Sequence, residues 1–147
     1  MKALRHAPTA ARILLGLAFT VFGANFFLHF IPQPPMAPGP AVDLAMALSS
    51  SYVMALVKTF EVIAGLMLLS NRFVPLALAL LAPIVVGIVG FHLTLAPATG
   101  GAGYLVLALE LYLAWAYREA FKPMLQAHVE PSRVDVHAHR PALRTAA

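Results

Sequence analysis

Apolar residues gather in four runs along this chain, each with one or two strongly polar side chains set inside it. Ile13 to Ile31 carries Asn25 and His29, and Ser51 to Ser70 carries Lys58 and Glu61. Phe73 to Leu95 carries His92, and Tyr104 to Phe121 carries Glu110 before Arg118 and Glu119 close it. Runs of this length match the roughly 20 mostly apolar residues that a helix needs to cross a bilayer. The pattern predicts an all-α membrane protein, a four-transmembrane-helix bundle with spans at about residues 12–31, 51–70, 73–95 and 104–121.

The segments between the runs punctuate them. Pro32-Gln-Pro-Pro-Met-Ala-Pro-Gly-Pro40 cannot hold a regular helix, because proline lacks the backbone donor and clashes with the preceding turn. Asp43-Leu-Ala-Met-Ala-Leu48 fits a short interfacial helix with its acid near the N-terminus. Asn71-Arg72 reads as a tight polar turn, Pro75 suits a first helical turn, and Pro83 predicts a kink in mid-span. Ala96 to Gly103 reads as an uncharged loop. Residues 122–147 are polar, broken by Pro131 and Pro141, and are expected to be a largely disordered tail. The basic start and first apolar run resemble a signal peptide. The run exceeds an h-region of about 7–15 residues and ends in no small-x-small site, so it is read as the first span.

Composition agrees with the pattern. Of 147 residues 61% are hydrophobic and 11% charged, against about 45–50% and about 25% in ordinary globular domains. There is no cysteine, which excludes disulfides, thiolate-held metal or clusters and thiol redox on this chain. The net charge of +4 does not point to nucleic acid, since the basic residues flank apolar helices and form no stripe. Lys2, Arg5 and Arg12 precede the first run, Arg72 lies in the second connection, and Arg118, Lys122, Arg133, Arg140 and Arg144 follow the last. The other two connections carry no Lys or Arg, so the positive-inside rule puts both termini and the Asn71-Arg72 turn in the cytoplasm. Aromatics gather at both sets of span ends, Phe26, Phe27, Phe30, Tyr52 and Phe91 outside and Phe73, Trp115, Tyr117 and Phe121 inside.

A charge near the membrane centre costs about 2.5–3.5 kcal/mol on insertion scales, so the polar residues inside the runs must find partners. Counting 1.5 Å per residue, His29 and His92 lie within a turn of the outer boundary and Asn25 about 9 Å down. Lys58 and Glu110 lie about 10–12 Å down and Glu61 about 15 Å by the same rise. Asn25 and His29 share a face at i, i+4, and Lys58 and Glu61 can meet at i, i+3. All six fall in the outer half, from four helices, as a polar pocket open to that side requires.

Each residue has a structural reading too. Lys58 and Glu61 can form a clasp, or Lys58 can snorkel. Glu110 and Asn25 can each donate one interhelical contact, worth about 0.6 kcal/mol on average. His29 and His92 could ligate haem, but histidines at the headgroup level are commonly only interfacial, so haem is not the expected cofactor. Gly16, Thr20 and Ala24 form a small-xxx-small row suited to close packing within the bundle. Asp135-Val-His137-Ala-His139 alternates metal-binding side chains without a partner cluster and is read as tail, leaving no metal site.

Several short motifs occur in a characteristic order: Gly23-Ala-Asn25-Phe-Phe-Leu-His29-Phe-Ile-Pro32, Val57-Lys-Thr-Phe-Glu61-Val-Ile-Ala-Gly65, Asn71-Arg-Phe-Val-Pro75, Ala82-Pro83-Ile-Val-Val, Phe91-His92 and Glu110-Leu-Tyr112-Leu-Ala-Trp115-Ala-Tyr117-Arg118. Together, over about residues 11–121, they resemble the DoxX family of small four-span membrane proteins. The chain departs from related sequences at Gly87, where those tend to carry Asn about five residues before the Phe-His pair. The resemblance implies a four-helix bundle associated with respiratory or sulfur-linked oxidoreductase systems.

The expected function is therefore that of a multi-pass protein of the bacterial cytoplasmic (inner) membrane, a membrane oxidoreductase-associated subunit whose pocket takes a quinone-like ligand. Asn25, His29, Lys58, Glu61, His92 and Glu110 are the candidate ligand-binding residues. Glu61, Glu110, His29 and His92 are also candidates for proton transfer, and Lys58 or Asn25 for a hydrogen bond to a quinone carbonyl. Redox chemistry would need a bound cofactor or a partner subunit. The expected partners are the lipid bilayer and another oxidoreductase subunit or a second copy of the chain. One alternative is a non-catalytic assembly or stabilising partner of another membrane protein. A carrier of small solutes or protons is the weaker alternative, since the inner half offers no polar path.

Overall fold

A computed structural model describes residues 2–32 and 37–130, and every regular element among them is helical. Helices α1 (Lys2–Leu28), α3 (Tyr52–Leu69), α4 (Val74–Thr94) and α5 (Gly101–Ala116) close a ring in which α1 and α4 each pack against both α3 and α5. The short α2 (Pro40–Ser49) lies on α3, and α6 (Arg118–Phe121) follows α5 after a break. Three helical stretches, His6–Leu28, Tyr52–Leu69 and Val74–Thr94, are long and apolar enough to cross a membrane, and α5 is a shorter apolar helix. The ring turns apolar side chains outward as well as inward. Leu14, Phe22, Leu56, Leu66, Val86, Leu105 and Leu111 are all exposed. A continuous apolar exterior of that kind is unfavourable in water and suits a lipid bilayer.

Sterics at one crossing set the approach of α1 to α3. A methyl group built on Gly65 would lie 2.7 Å from the Thr20 amide nitrogen and 2.9 Å from the Gly16 carbonyl oxygen. One on Gly23 would lie 3.2 Å from the Lys58 carbonyl oxygen. The small-residue row thus packs backbone on backbone within the bundle, as its spacing predicts, with Gly23 taking part and Gly65 as the matching notch. Arg12 fastens the same pair at its other end. Its buried guanidinium leaves α1 and donates to the carbonyls of Leu68 and Leu69, in the last turn of α3. The Leu68 carbonyl also accepts the Asn71 N–H at 3.2 Å, and a cation at these last carbonyls meets the negative end of the helix dipole. Arg12 was expected only as a flanking charge, yet it is part of the core.

The hydrophobic core sits toward the Asn71-Arg72 turn. Leu15 and Phe19 of α1, Ala64 and Leu68 of α3, Ala77, Leu78 and Leu81 of α4 and Leu113 of α5 fill it. At the far end the buried residues are instead glycines and polar groups, Gly23, Asn25, Glu61, Gly103 and Glu110. Packing is therefore tight at one end of the bundle and open at the other.

Several element ends differ from those expected. Helix α1 begins at Lys2, through Pro8, and ends at Leu28, before Ile31. It stops there because His29 takes a left-handed φ of 51° while the Asn25 side chain captures the Ile31 backbone. Gly101 to Gly103, expected in a loop, belong to α5. The helical cost of glycine, about 1 kcal/mol, is offset by the contact Gly103 permits, since a methyl there would lie 2.9 Å from the His92 ring. The run 104–121 is not one helix. Tyr117 interrupts it, and Arg118 donates to the Trp115 carbonyl at 3.1 Å with its guanidinium 4.9 Å above the indole. Helix α4 passes through Pro83 without interruption. Lys122–Leu125 forms a single 3-10 turn, residues 126–130 follow without regular structure, and residues 131–147 of the expected tail lie outside the described residues.

Two substitutions separate close packing from glycine content. Gly65→Ala should destabilise the detergent-solubilised protein by about 1–3 kcal/mol through overpacking. Gly90→Ala, where an added methyl meets nothing within 4 Å, should stabilise it by up to about 1 kcal/mol. Thermal unfolding followed by circular dichroism distinguishes the two. Arg12→Met, which removes the buried side-chain donor from the last turn of α3, should cost about 1–3 kcal/mol in the same measurement, with Arg12→Lys intermediate.

Candidate functional site

Helix α3 supplies the central pair of the site. Lys58 and Glu61 lie one turn apart, and the Lys58 ammonium donates to both carboxylate oxygens of Glu61, at 2.8 Å and 2.9 Å. The α1 contact fixes the rotation of α3, so that Glu61 points inward beside Ala64 and Gly65 and is only 2% exposed. The Lys58 side chain sits further out, 23% exposed. This partial burial makes each group the condition for keeping the other charged at such a depth.

The pair borders two hollows. A groove of about 830 Å³ runs between α2, α3 and α4, with Lys58, Glu61 and His92 among its walls. Leu44, Leu48, Val57, Phe60, Pro83, Ile84, Gly87 and Phe91 make most of the remainder apolar. A second hollow of about 590 Å³ lies on the α1 side of Lys58, lined by Phe22, Asn25, Phe26, His29, Pro32 and Ser49. Lys58 stands in both.

The structure brings some of the six candidate residues together and keeps others apart. Asn25 is buried and spends both faces of its amide on one partner. The Ile31 N–H donates to its Oδ1 at 2.6 Å, and its Nδ2 donates to the Ile31 carbonyl at 3.2 Å. It borders the smaller hollow as a clamp on the chain. His29 is exposed at the rim of the same hollow. His92 lines the groove at the end of α4, its Nδ1 3.3 Å from the Thr99 hydroxyl and 3.4 Å from the Ala96 carbonyl, its ring edge-on to Phe91. The two histidines thus border different hollows. Glu110 lines neither; it is 5% exposed and neither carboxyl oxygen has a hydrogen-bond partner. Since α5 begins at Gly101, Glu110 sits nine residues into its helix, as Glu61 does in α3, about 14 Å along each by the helical rise. The two acids therefore share a level, deeper for Glu110 than its position in the run implied.

Other contributors carried little signal in the sequence. Helix α2 closes one side of the groove through Leu44 and Leu48, and nothing in its composition distinguishes it from an interfacial helix. Gly87 lies on the groove wall where an added methyl would meet nothing, and it helps keep the groove wide and apolar. Among the described residues no three acidic or histidine side chains gather as metal ligands would. Comparison with protein-family models, with curated proteins and with solved structures finds no match to the chain.

Removing one member of a buried ion pair leaves the other uncompensated. Lys58→Met should therefore cost on the order of 3 kcal/mol, and Lys58→Met with Glu61→Met should recover most of that loss. A double-mutant cycle by thermal unfolding reads the coupling directly, and additive losses would show that the pair contributes none.

Proposed function

We propose that the chain is a four-span integral protein of the bacterial cytoplasmic membrane, of the kind the DoxX family comprises. In this reading α5 is the fourth span and both termini and the Asn71-Arg72 turn are cytoplasmic. Its groove holds a quinone-like ligand, and the protein serves as a subunit associated with a membrane oxidoreductase. The observation that carries the reading is the groove of about 830 Å³, within the roughly 300–1,000 Å³ of small-molecule sites. Its polar side chains, Lys58, Glu61, His92 and Thr94, lie toward one end and its apolar walls continue past them. A ring with hydrogen-bonding oxygens and an apolar tail matches both parts. Without cysteine the chain holds no thiol redox centre, so electrons would pass through the ligand or a partner subunit.

A second reading keeps the same fold without a ligand. Lys58 and Glu61 answer each other's charge directly, as a purely structural clasp would. The chain would then assemble with or stabilise another membrane protein, or a second copy of itself.

Extraction of the detergent-purified protein with organic solvent separates the two readings. Quinone should be recovered in near-stoichiometric amount from the parent. It should fall at least tenfold in Gly87→Leu, which fills the groove from open space, while the unfolding midpoint stays within a few degrees. A parent free of quinone that copurifies with another membrane protein would favour the assembly role.

A further inference from the structure

One acceptor in the groove has no counterpart in the sequence motifs. Pro83 has no backbone N–H, so the carbonyl of Ala79, four residues earlier in α4, lacks its helical donor. Both residues line the groove. In a bilayer such a carbonyl is normally satisfied by a neighbouring helix, a hydroxyl or water, because an orphaned one costs several kcal/mol. No hydroxyl in the wall serves it: Thr94 lies four turns along the helix and donates to the Gly90 carbonyl at 2.8 Å. The Lys58 ammonium is committed to Glu61. Counted from the helix ends that share the far side of the bundle, Tyr52 of α3 and Thr94 of α4, Ala79 lies about 9 Å beyond the level of Glu61 at 1.5 Å per residue, and its carbonyl points back toward that level. A single six-membered ring with oxygens at opposite positions, with a hydrogen bond of about 2.8 Å at each, spans a gap of that scale.

We propose that the groove selects the reduced, hydroxyl-bearing form of its ring ligand over the oxidised form, through the Ala79 carbonyl that Pro83 leaves open. This rests on the groove being a quinone-type site and specifies which redox state it favours. A hydroquinone donates one hydroxyl to Ala79, and its second hydroxyl meets the Lys58–Glu61 pair, where it can donate or accept. The oxidised ring offers only acceptors. Its oxygen would face the Ala79 oxygen with no proton between them, leaving both unsatisfied in apolar surroundings.

The test is anaerobic equilibrium binding of a short-chain alkyl benzoquinol, its quinone and its dimethyl ether to the purified protein. The quinol should bind about tenfold or more tightly than the quinone, the scale expected for one satisfied buried acceptor. The dimethyl ether, which has no donor, should bind no better than the quinone. Pro83→Ala restores an N–H to the Ala79 carbonyl and should bring the quinol-to-quinone ratio close to one, mainly by weakening the quinol. Equal affinities in the parent, or an undiminished preference in Pro83→Ala, would overturn the proposal while leaving the groove as a binding site. Binding of none of the three compounds would remove the site itself.

Discussion

The contact on which the rest of the bundle depends is the backbone approach of α1 to α3 at Gly16, Gly23 and Gly65. No side chain larger than hydrogen fits at Gly65 without displacing the Thr20 or Gly16 backbone. The two helices consequently have one rotation in which they can touch. That rotation turns Glu61 to the interior, sets Lys58 between two hollows and places Arg12 within reach of the last α3 carbonyls. Dispersion between close backbones is the main force available here, since lipid removes the hydrophobic drive that holds soluble helices together.

The asymmetry along the bundle follows from what each end contains. Toward the Asn71-Arg72 turn, leucines and alanines interdigitate, with the buried Arg12 bonded to the end of α3 among them. At the other end the interior holds an ion pair, an amide and an unpartnered acid among small residues, which cannot pack to the same density. Hollows form where the filling side chains are missing. The candidate site is thus the counterpart of the core: the same four helices are filled by leucine at one end and hold small residues and charge at the other.

Much of this could be read before any coordinates, and the remainder could not for identifiable reasons. The long apolar runs announced α1, α3 and α4 because hydropathy over a whole span is insensitive to individual residues. The Lys58–Glu61 pairing was legible because i, i+3 neighbours meet on any helix. The roles of Asn25 and Arg12 were not, since both depend on chain positions remote from them, the Ile31 backbone and the end of α3. Helix ends were displaced for the same reason. Gly101 to Gly103 look like a loop in isolation, and become helical only because α4 offers His92 and Ile88 at the right distance. The shared level of Glu61 and Glu110 likewise emerged only once the start of α5 was known. Polar residues inside apolar runs stood out in the sequence, while the two separate hollows they border could not be anticipated from order and spacing.

The break at Tyr117 has a consequence for the surrounding lipid. Sixteen residues of α5 span about 24 Å, whereas the hydrocarbon layer is about 30 Å thick and the neighbouring α4 has 21 residues. Were α5 to cross the layer as a fourth span, it would be the shortest wall of the bundle, since α3 with 18 residues reaches about 27 Å. Acyl chains beside that wall must compress, or the wall must lean, each at a fraction of a kcal/mol for every ångström of mismatch. The deficit disappears wherever two such walls face each other or a neighbouring protein covers one. With α5 as a fourth span, bilayer elasticity would by itself give this small protein a preferred side for company, before any specific contact is made.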